Sequence, residues 1–162
     1  MGDHHHDHHD HDHDHHHHHE QGLVEDFNFD EPYSTSGSTA IVLSVVPTVL
    51  AFLSGATVLH HVDPNDRIRL VATVGWQAIT GTPSVLFKIY RDAPPPAGTL
   101  VFSTTDSAES GLDDTGTTSF SHVETGVLGH ATSYFLTAEV PTGAANVIGP
   151  ISFSGEVIEH NR

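Results

Sequence analysis

The chain contains no cysteine among its 162 residues. This absence excludes disulfides, thiolate metal ligands and cysteine nucleophiles. Only five Lys and Arg stand against 21 Asp and Glu, so the formal net charge is −16 with neutral histidines. A surface with so few cations is poorly suited to neutralising phosphates. We therefore expect neither nucleic acid nor an anionic membrane as a partner.

Long apolar runs are also missing. No stretch approaches the roughly 18 residues that a membrane helix needs, and the nearest, residues 41–53, is interrupted by Pro47. No basic segment followed by an apolar one marks a secretory signal. We therefore expect that the protein either stays in the cytoplasm or reaches a surface by a route other than signal-peptide export.

Catalytic signatures are absent as well. His122 has Ser119 and Ser121 beside it and Glu124 two residues on, but no GxSxG or equivalent turn supplies a nucleophile with oxyanion donors. His60 and His61 lie side by side, and alternation along a strand would send their imidazoles to opposite faces. The sequence thus predicts no enzyme.

What the chain does have is a His/Asp-rich tail, residues 1–21, whose first twenty residues hold twelve of the seventeen histidines. It is either a purification tag or a biological metal-binding tract, and the irregular interleaving of aspartates favours the second. Imidazole suits zinc, nickel and copper, and carboxylates can complete the shell. Such a composition is expected to be disordered in isolation. The predicted metal ligands are His4, His5, His6, His8, His9, His11, His13, His15 and His17.

Residues 22–38 are predicted to form an N-terminal arm and a linker. In residues 22–30 (GLVEDFNFD), alternation places Leu23, Phe27 and Phe29 on one face together with Glu25, and polar residues on the other. This segment is either the first strand of the domain or an arm that docks into a neighbouring subunit's sheet, with the two phenylalanines filling pockets. The linker is expected to be flexible because it contains Pro32, Gly37 and several serines.

Residues 39–159 read as strands separated by turn-forming residues. The most regular stretch is residues 67–79, where Ile68, Leu70, Ala72, Val74 and Trp76 alternate with mostly polar residues. Short strands without helical periodicity indicate a sandwich or barrel. The predicted strands are residues 39–46, 48–53, 56–62, 67–79, 84–91, 99–104, 117–124, 131–140 and 146–159, with turns that include residues 80–83 and 141–145.

The most acidic loop of the domain is residues 106–116, with Asp106, Glu109, Asp113 and Asp114. Calcium takes six to eight oxygen ligands, but the spacing is not that of a helix-flanked calcium loop, and a solvated turn is the favoured reading. We do not expect bound calcium here. Carbohydrate binding by this loop remains an alternative. Trp76 is predicted to lie in the core.

The closing segment, residues 150–158 (PISFSGEVI), resembles the last strand of complement-q and tumour-necrosis-factor-like jelly rolls. Further segments look like those of jelly-roll proteins of bacterial spore surfaces, the exosporium and endospore-appendage group: ATVGWQ (72–77), FKIYRD (87–92), FSTTDSAESG (102–111), TTSFSHVET (117–125) and ANVIGPISFSGEVI (145–158). The chain departs from that group in lacking a Gly-X-Y collagen tract and cross-linking cysteines. The resemblance implies a structural subunit at a spore or cell surface.

Together these observations predict an all-β protein: an antiparallel jelly-roll sandwich of about eight strands with an N-terminal extended arm. The expected function is a non-enzymatic structural subunit that binds copies of itself, as a filament or a trimer, through Leu23, Phe27 and Phe29. Metal sequestration by the tail is the alternative. No cofactor is expected to be required.

Overall fold

The computed structural model describes residues 22–109 and 114–160. Within them the chain is almost entirely β-structure, as the alternation predicts. A short 3-10 helix covers Gly55–Thr57. The strands are β1 (Val24–Tyr33), β2 (Ile41–Val42), β3 (Thr48–Leu53), β4 (Leu59–His60), β5 (Arg67–Arg91), β6 (Thr99–Ser107), β7 (Thr115–Thr125), β8 (Ala131–Thr132) and β9 (Tyr134–Ile158).

Two long strands, β5 and β9, run through both layers of the sandwich and pair antiparallel with each other. In the first layer, residues 67–78 of β5 and 145–158 of β9 are central, and the order is β1-β9-β5-β7. In the second layer, residues 84–91 of β5 and 134–142 of β9 are central, and the order is β3-β9-β5-β6. All these pairs are antiparallel, so the predicted jelly-roll fold class is confirmed.

The core lies between the two layers, and the predicted inward-facing residues form it. Gly155 marks how closely the layers approach, because a Cβ at this position would lie 2.8 Å from a methyl of Leu53 and from one of Leu59. The period-two patterns therefore identified the buried faces of β5 and β9 correctly. Ile68, Leu70, Ala72, Val74 and Trp76 are buried as predicted. The same alternation along the other predicted strands points inward the side chains that complete the core: Val85, Phe87, Ile89, Tyr134, Leu136, Ala138, Val140, Val147, Ile151, Phe153 and Val157.

The turns predicted at residues 80–83 and 141–145 are wrong, because β5 and β9 continue through both segments. The two strands cross from one layer to the other side by side, and their register shifts there. Gly81 and Gly143 have φ angles of 71° and 78°, a conformation that glycine adopts at little steric cost. The chain therefore bends sharply without giving up its strand pairing.

Three further strand predictions need correction. Residues 39–46 contain only the two-residue strand β2. Residues 56–62 contain the end of the 3-10 helix and the short β4. The helical turn is favoured because the side-chain hydroxyl of Thr57 accepts a hydrogen bond from the Ser54 amide at 3.2 Å. Residues 131–140 divide into β8 and the start of β9.

The predicted linker is also more ordered than expected. Pro32 lies within β1. The Ser38 amide donates to the Ile148 carbonyl at 2.8 Å, and the Ser38 hydroxyl donates to the Thr35 carbonyl at 2.9 Å. These bonds hold residues 34–38 against the sandwich. Within the described residues, no helix combines the length and the hydropathy that a membrane-spanning segment needs.

Candidate subunit-docking strand

Strand β1 is the edge strand of the first layer, and it pairs with the last part of β9 in the same chain. Phe27 lies opposite Glu156 and Phe29 opposite Ser154, in an antiparallel register that begins at Val24 and Ile158. The predicted arm is therefore a strand of its own sandwich in this structure. Its docking into another subunit stays a prediction that concerns its exposed face.

The inward face of β1 is polar, and its three side chains bond to the chain segment beside it. Asp26 accepts a hydrogen bond from the His60 amide at 2.6 Å, and Asp30 accepts one from the Phe52 amide at 2.9 Å. The side-chain amide of Asn28 donates to the Val58 carbonyl at 3.1 Å. Hydrogen bonds to charged acceptors are among the stronger ones in proteins. They hold residues 52–60 along the outer edge of β1.

The outward face of β1 carries two phenylalanines, and Glu156 of β9 lies opposite the first of them. Phe27 and Phe29 stack with ring centroids 6.1 Å apart and an interplanar angle of 28°. They are 51% and 57% exposed, and Leu23 is 48% exposed. A strand that pairs with a sheet normally buries its apolar face and exposes its polar face. In β1 the arrangement is the reverse.

Sequence alternation correctly predicted which residues of β1 share a face, but not which face points inward. That orientation depends on the amides of Phe52 and His60, which are supplied by residues distant in sequence. The result is a pair of stacked phenyl rings held on a paired, hydrogen-bonded strand and turned toward solvent. Such a feature is typical of an interaction surface.

The acidic loop is only partly described, since residues 110–113, including Asp113, lie outside the described residues. Trp76 is buried, and its indole N–H donates to the Thr118 hydroxyl at 2.9 Å. That hydroxyl in turn donates to Asp106. Asp114 accepts from the Glu109 amide at 3.2 Å. Asp106 thus helps to hold the Trp76 ring in place through Thr118.

The remaining histidine candidates do not come together. His60 and His61 have ring centroids 6.4 Å apart in an edge arrangement. The strand ends at His60, and His61 has a φ of 58°, so the simple alternation expected for them does not apply. Across residues 22–109 and 114–160, no three His, Asp or Glu side chains are grouped to hold a metal ion. The predicted ligands of the tail, residues 1–21, lie outside the described residues.

Glu124, which shares a face with His122, belongs to a different cluster. Its carboxylate accepts hydrogen bonds from the Arg91 guanidinium and, at 2.7 Å, from the Tyr134 hydroxyl. His122 stacks on Phe102 with ring centroids 5.2 Å apart. Burial, followed by the hydrogen bond to Glu124, raises the pKa of Tyr134 well above its usual range. Sequence reasoning missed this cluster because its members come from three strands.

Neither a protein-family model nor a curated protein matches the chain. Among solved structures it is similar to the Eiger TNF from S. frugiperda, with 11% identity, a TM-score of 0.49 and coverage of 88% of this chain and 96% of that chain. It is also similar to the structure of the infectious bursal disease virus Gx strain, with 14% identity, a TM-score of 0.45 and coverage of 85% of this chain and 33% of that chain. Identities this low carry no information on function.

Proposed function

We propose that this protein is a non-enzymatic structural subunit that self-assembles through the outward face of β1. The observation that carries the proposal is the reversed orientation of that strand. Asp26, Asn28 and Asp30 form hydrogen bonds to residues 52–60, while Phe27 and Phe29 are exposed. The resemblance to spore-surface jelly rolls supports a place in a filament or trimeric appendage at a spore or cell surface.

The energetics favour a contact that is larger than the two rings alone. Burying the exposed half of two phenylalanine side chains removes on the order of 200 Å² from water, worth about 5 kcal/mol at roughly 25 cal/mol per Å². Association costs an estimated 4–15 kcal/mol in lost freedom of motion, so the rings would anchor an interface that other residues extend. Leu23 and Val24, both exposed at the start of β1, are suited to that role.

The tail suggests a second candidate function. Twelve histidines lie within residues 4–19, ahead of β1 in the sequence, and imidazole suits zinc, nickel and copper. Under this second candidate function, the tail sequesters zinc, nickel or copper, and the sandwich serves as an anchor. The two functions are compatible, since a metal shared by two tails would also join two subunits.

The test of self-assembly is the double variant Phe27→Ser with Phe29→Ser in the full chain. Sedimentation velocity and negative-stain electron microscopy would compare it with the wild type over a range of concentrations. We expect the wild type to form oligomers or filaments and the variant to remain monomeric and folded. Leu128→Ser is the matched control, because Leu128 is an exposed apolar residue in a loop outside β1. A monomeric wild type at high concentration would contradict the proposal.

A further inference from the structure

The end of the sandwich at which β1 begins is rich in histidine. The His60 amide donates a hydrogen bond to Asp26 of β1 at 2.6 Å, and His60 lies opposite Ala131. The Glu159 amide donates to the Leu23 carbonyl at 2.9 Å, which brings the residue after it to the same end. The exposed histidines here are His60, His61, His130 and His160, four of the five histidines in residues 22–109 and 114–160. The tail joins the sandwich at this same end.

His60 and His61 are placed as a pair of ligands. A regular strand would send neighbouring side chains to opposite faces, but His61 has a φ of 58° and the two ring centroids lie only 6.4 Å apart. A positive φ is uncommon outside glycine, and histidine is among the residues that adopt it more readily. The hydrogen bond to Asp26 fixes the backbone at His60. Modest side-chain rotations therefore suffice to bring both imidazoles onto one ion, at the Zn–N distance of about 2.0–2.1 Å.

Two imidazoles make only half of a zinc site. Structural zinc in proteins is almost always bound by four ligands in a tetrahedron. In the part of the chain that the structure describes, no third His, Asp or Glu is grouped with this pair to hold a metal ion. The pair therefore needs ligands from elsewhere to form a complete site.

The tail has such ligands within reach. Residues 15–19 are five consecutive histidines, and His19 is three residues before Gly22. Since each residue spans at most about 3.6 Å, these histidines reach between about 11 and 25 Å from Gly22. Asp26, which bonds to His60, is four residues after Gly22, a span of at most about 14 Å. The covalent chain thus allows the last histidines of the tail to meet the His60–His61 pair.

Charge at this end favours a cation as the link. Desolvation, followed by the charges of Asp66 and Glu159, raises the pKa of Glu25, and the nearby His61 lowers it. Several carboxylates thus lie close to His61, and the tail holds six further Asp and Glu. Two acidic segments repel each other. A divalent cation held between them offsets this repulsion, so metal favours a contact that the bare chain does not.

We propose that His60 and His61 share one tetrahedral zinc site with histidines of residues 15–19, and that zinc thereby fastens the tail to the sandwich beside β1. The inference rests on the second candidate function, because it requires a tail that binds metal. The pair has this geometry only in the folded sandwich, so zinc binds the folded chain more tightly than the unfolded one. Zinc therefore stabilises the sandwich, which binding by the tail alone would not do.

The test uses variants of the full chain. His60→Gln with His61→Asn removes the pair, and asparagine tolerates the positive φ at position 61. A second variant replaces the five histidines of residues 15–19 with glutamine. His122→Gln is the matched control, because His122 belongs to β7 and stacks on Phe102. Thermal melts followed by circular dichroism, with and without zinc at pH 7.5, are combined with isothermal titration calorimetry.

We expect zinc to bind the folded wild type at least about tenfold more tightly than the unfolded chain, the equivalent of about 1.4 kcal/mol. Its melting temperature should then rise by roughly 3–6 °C with zinc, and excess chelator should reverse the rise. The rise should vanish in both the pair variant and the variant of residues 15–19, and persist in His122→Gln. Calorimetry should still detect zinc uptake by the pair variant, because its tail is intact.

Zinc uptake by the wild type without a change in melting temperature would overturn the shared site and leave metal binding by the tail intact. A rise of equal size in His60→Gln with His61→Asn would also overturn it. Loss of the rise in His122→Gln would show that the rise does not depend on the pair in particular, with the same consequence. A wild type that takes up no zinc would overturn both this inference and the second candidate function.

Discussion

At the scale of single residues, Glu124 is held inside the sandwich by donors from two other strands, Arg91 and Tyr134. Tyr134→Phe removes the hydroxyl donor, so one oxygen of the largely buried Glu124 carboxylate loses its hydrogen bond from Tyr134. A buried acceptor that loses its partner costs about 1–3 kcal/mol. We expect the free energy of unfolding, measured with urea at pH 7, to fall by this amount.

The pH dependence of the same variant provides a second readout. The pKa of Tyr134 is raised in the folded protein above its ordinary value of 10.0, so the folded state keeps the phenol protonated where the unfolded chain ionises. The resulting stabilisation is complete below pH 10 and is lost as the pH rises further. Tyr134→Phe should therefore lose less stability than the wild type above pH 10. Tyr33→Phe is the control, and an identical alkaline decline in wild type and Tyr134→Phe would contradict the prediction.

At the scale of secondary-structure elements, the orientation of β1 depends on Asp26 and Asp30. Replacing both with alanine leaves the His60 and Phe52 amides without their acceptors. We expect these two amides to exchange with solvent faster, measured by NMR hydrogen exchange, and the free energy of unfolding to fall by roughly 0.5–1.5 kcal/mol for each bond, because both bonds are solvent-exposed. Glu31→Ala, an exposed change in the same strand, should leave both exchange rates unchanged. Unaltered protection in the double variant would mean that other contacts orient β1.

Much of the fold follows from the sequence at this same scale. Strict alternation over Ile68, Leu70, Ala72 and Val74 identified a central strand, because a half-buried strand requires it. The turn signals at Gly81 and Gly143 marked real bends, but they could not distinguish a reversal of the chain from a crossing between layers. That distinction depends on β5 and β9 bending side by side, which is a tertiary property.

The candidate site was less predictable than the fold. Alternation separated the faces of β1, but either face could have packed inward. Burying two phenyl rings would ordinarily be favoured. Here the carboxylates instead face residues 52–60 and accept hydrogen bonds from two of their amides.

At the scale of the whole molecule, the tail and the sandwich should differ in their affinity for metals. We predict that the full chain binds zinc at neutral pH and that a chain beginning at Gly22 binds far less, because the described residues hold no grouped His, Asp or Glu ligands. Binding should weaken as the pH falls below about 6.5, where imidazole takes up a proton. Isothermal titration calorimetry of both chains at pH 7.5 and pH 5.5 measures this difference. Equal uptake by the two chains would place the metal in the sandwich.

The register of β1 against β9 also sets how the molecule responds to tension. Val24 lies opposite Ile158, so β1 begins beside the end of β9. A force that pulls Val24 and Ile158 apart would break the hydrogen bonds between β1 and β9 one after another, which requires little force. A force applied to the outer faces of the two layers would instead load many inter-strand hydrogen bonds at the same time. A fibre whose subunits are joined through their outer faces would thus resist tension. A fibre whose subunits are joined through the start of β1 and the end of β9 would unfold under the same tension.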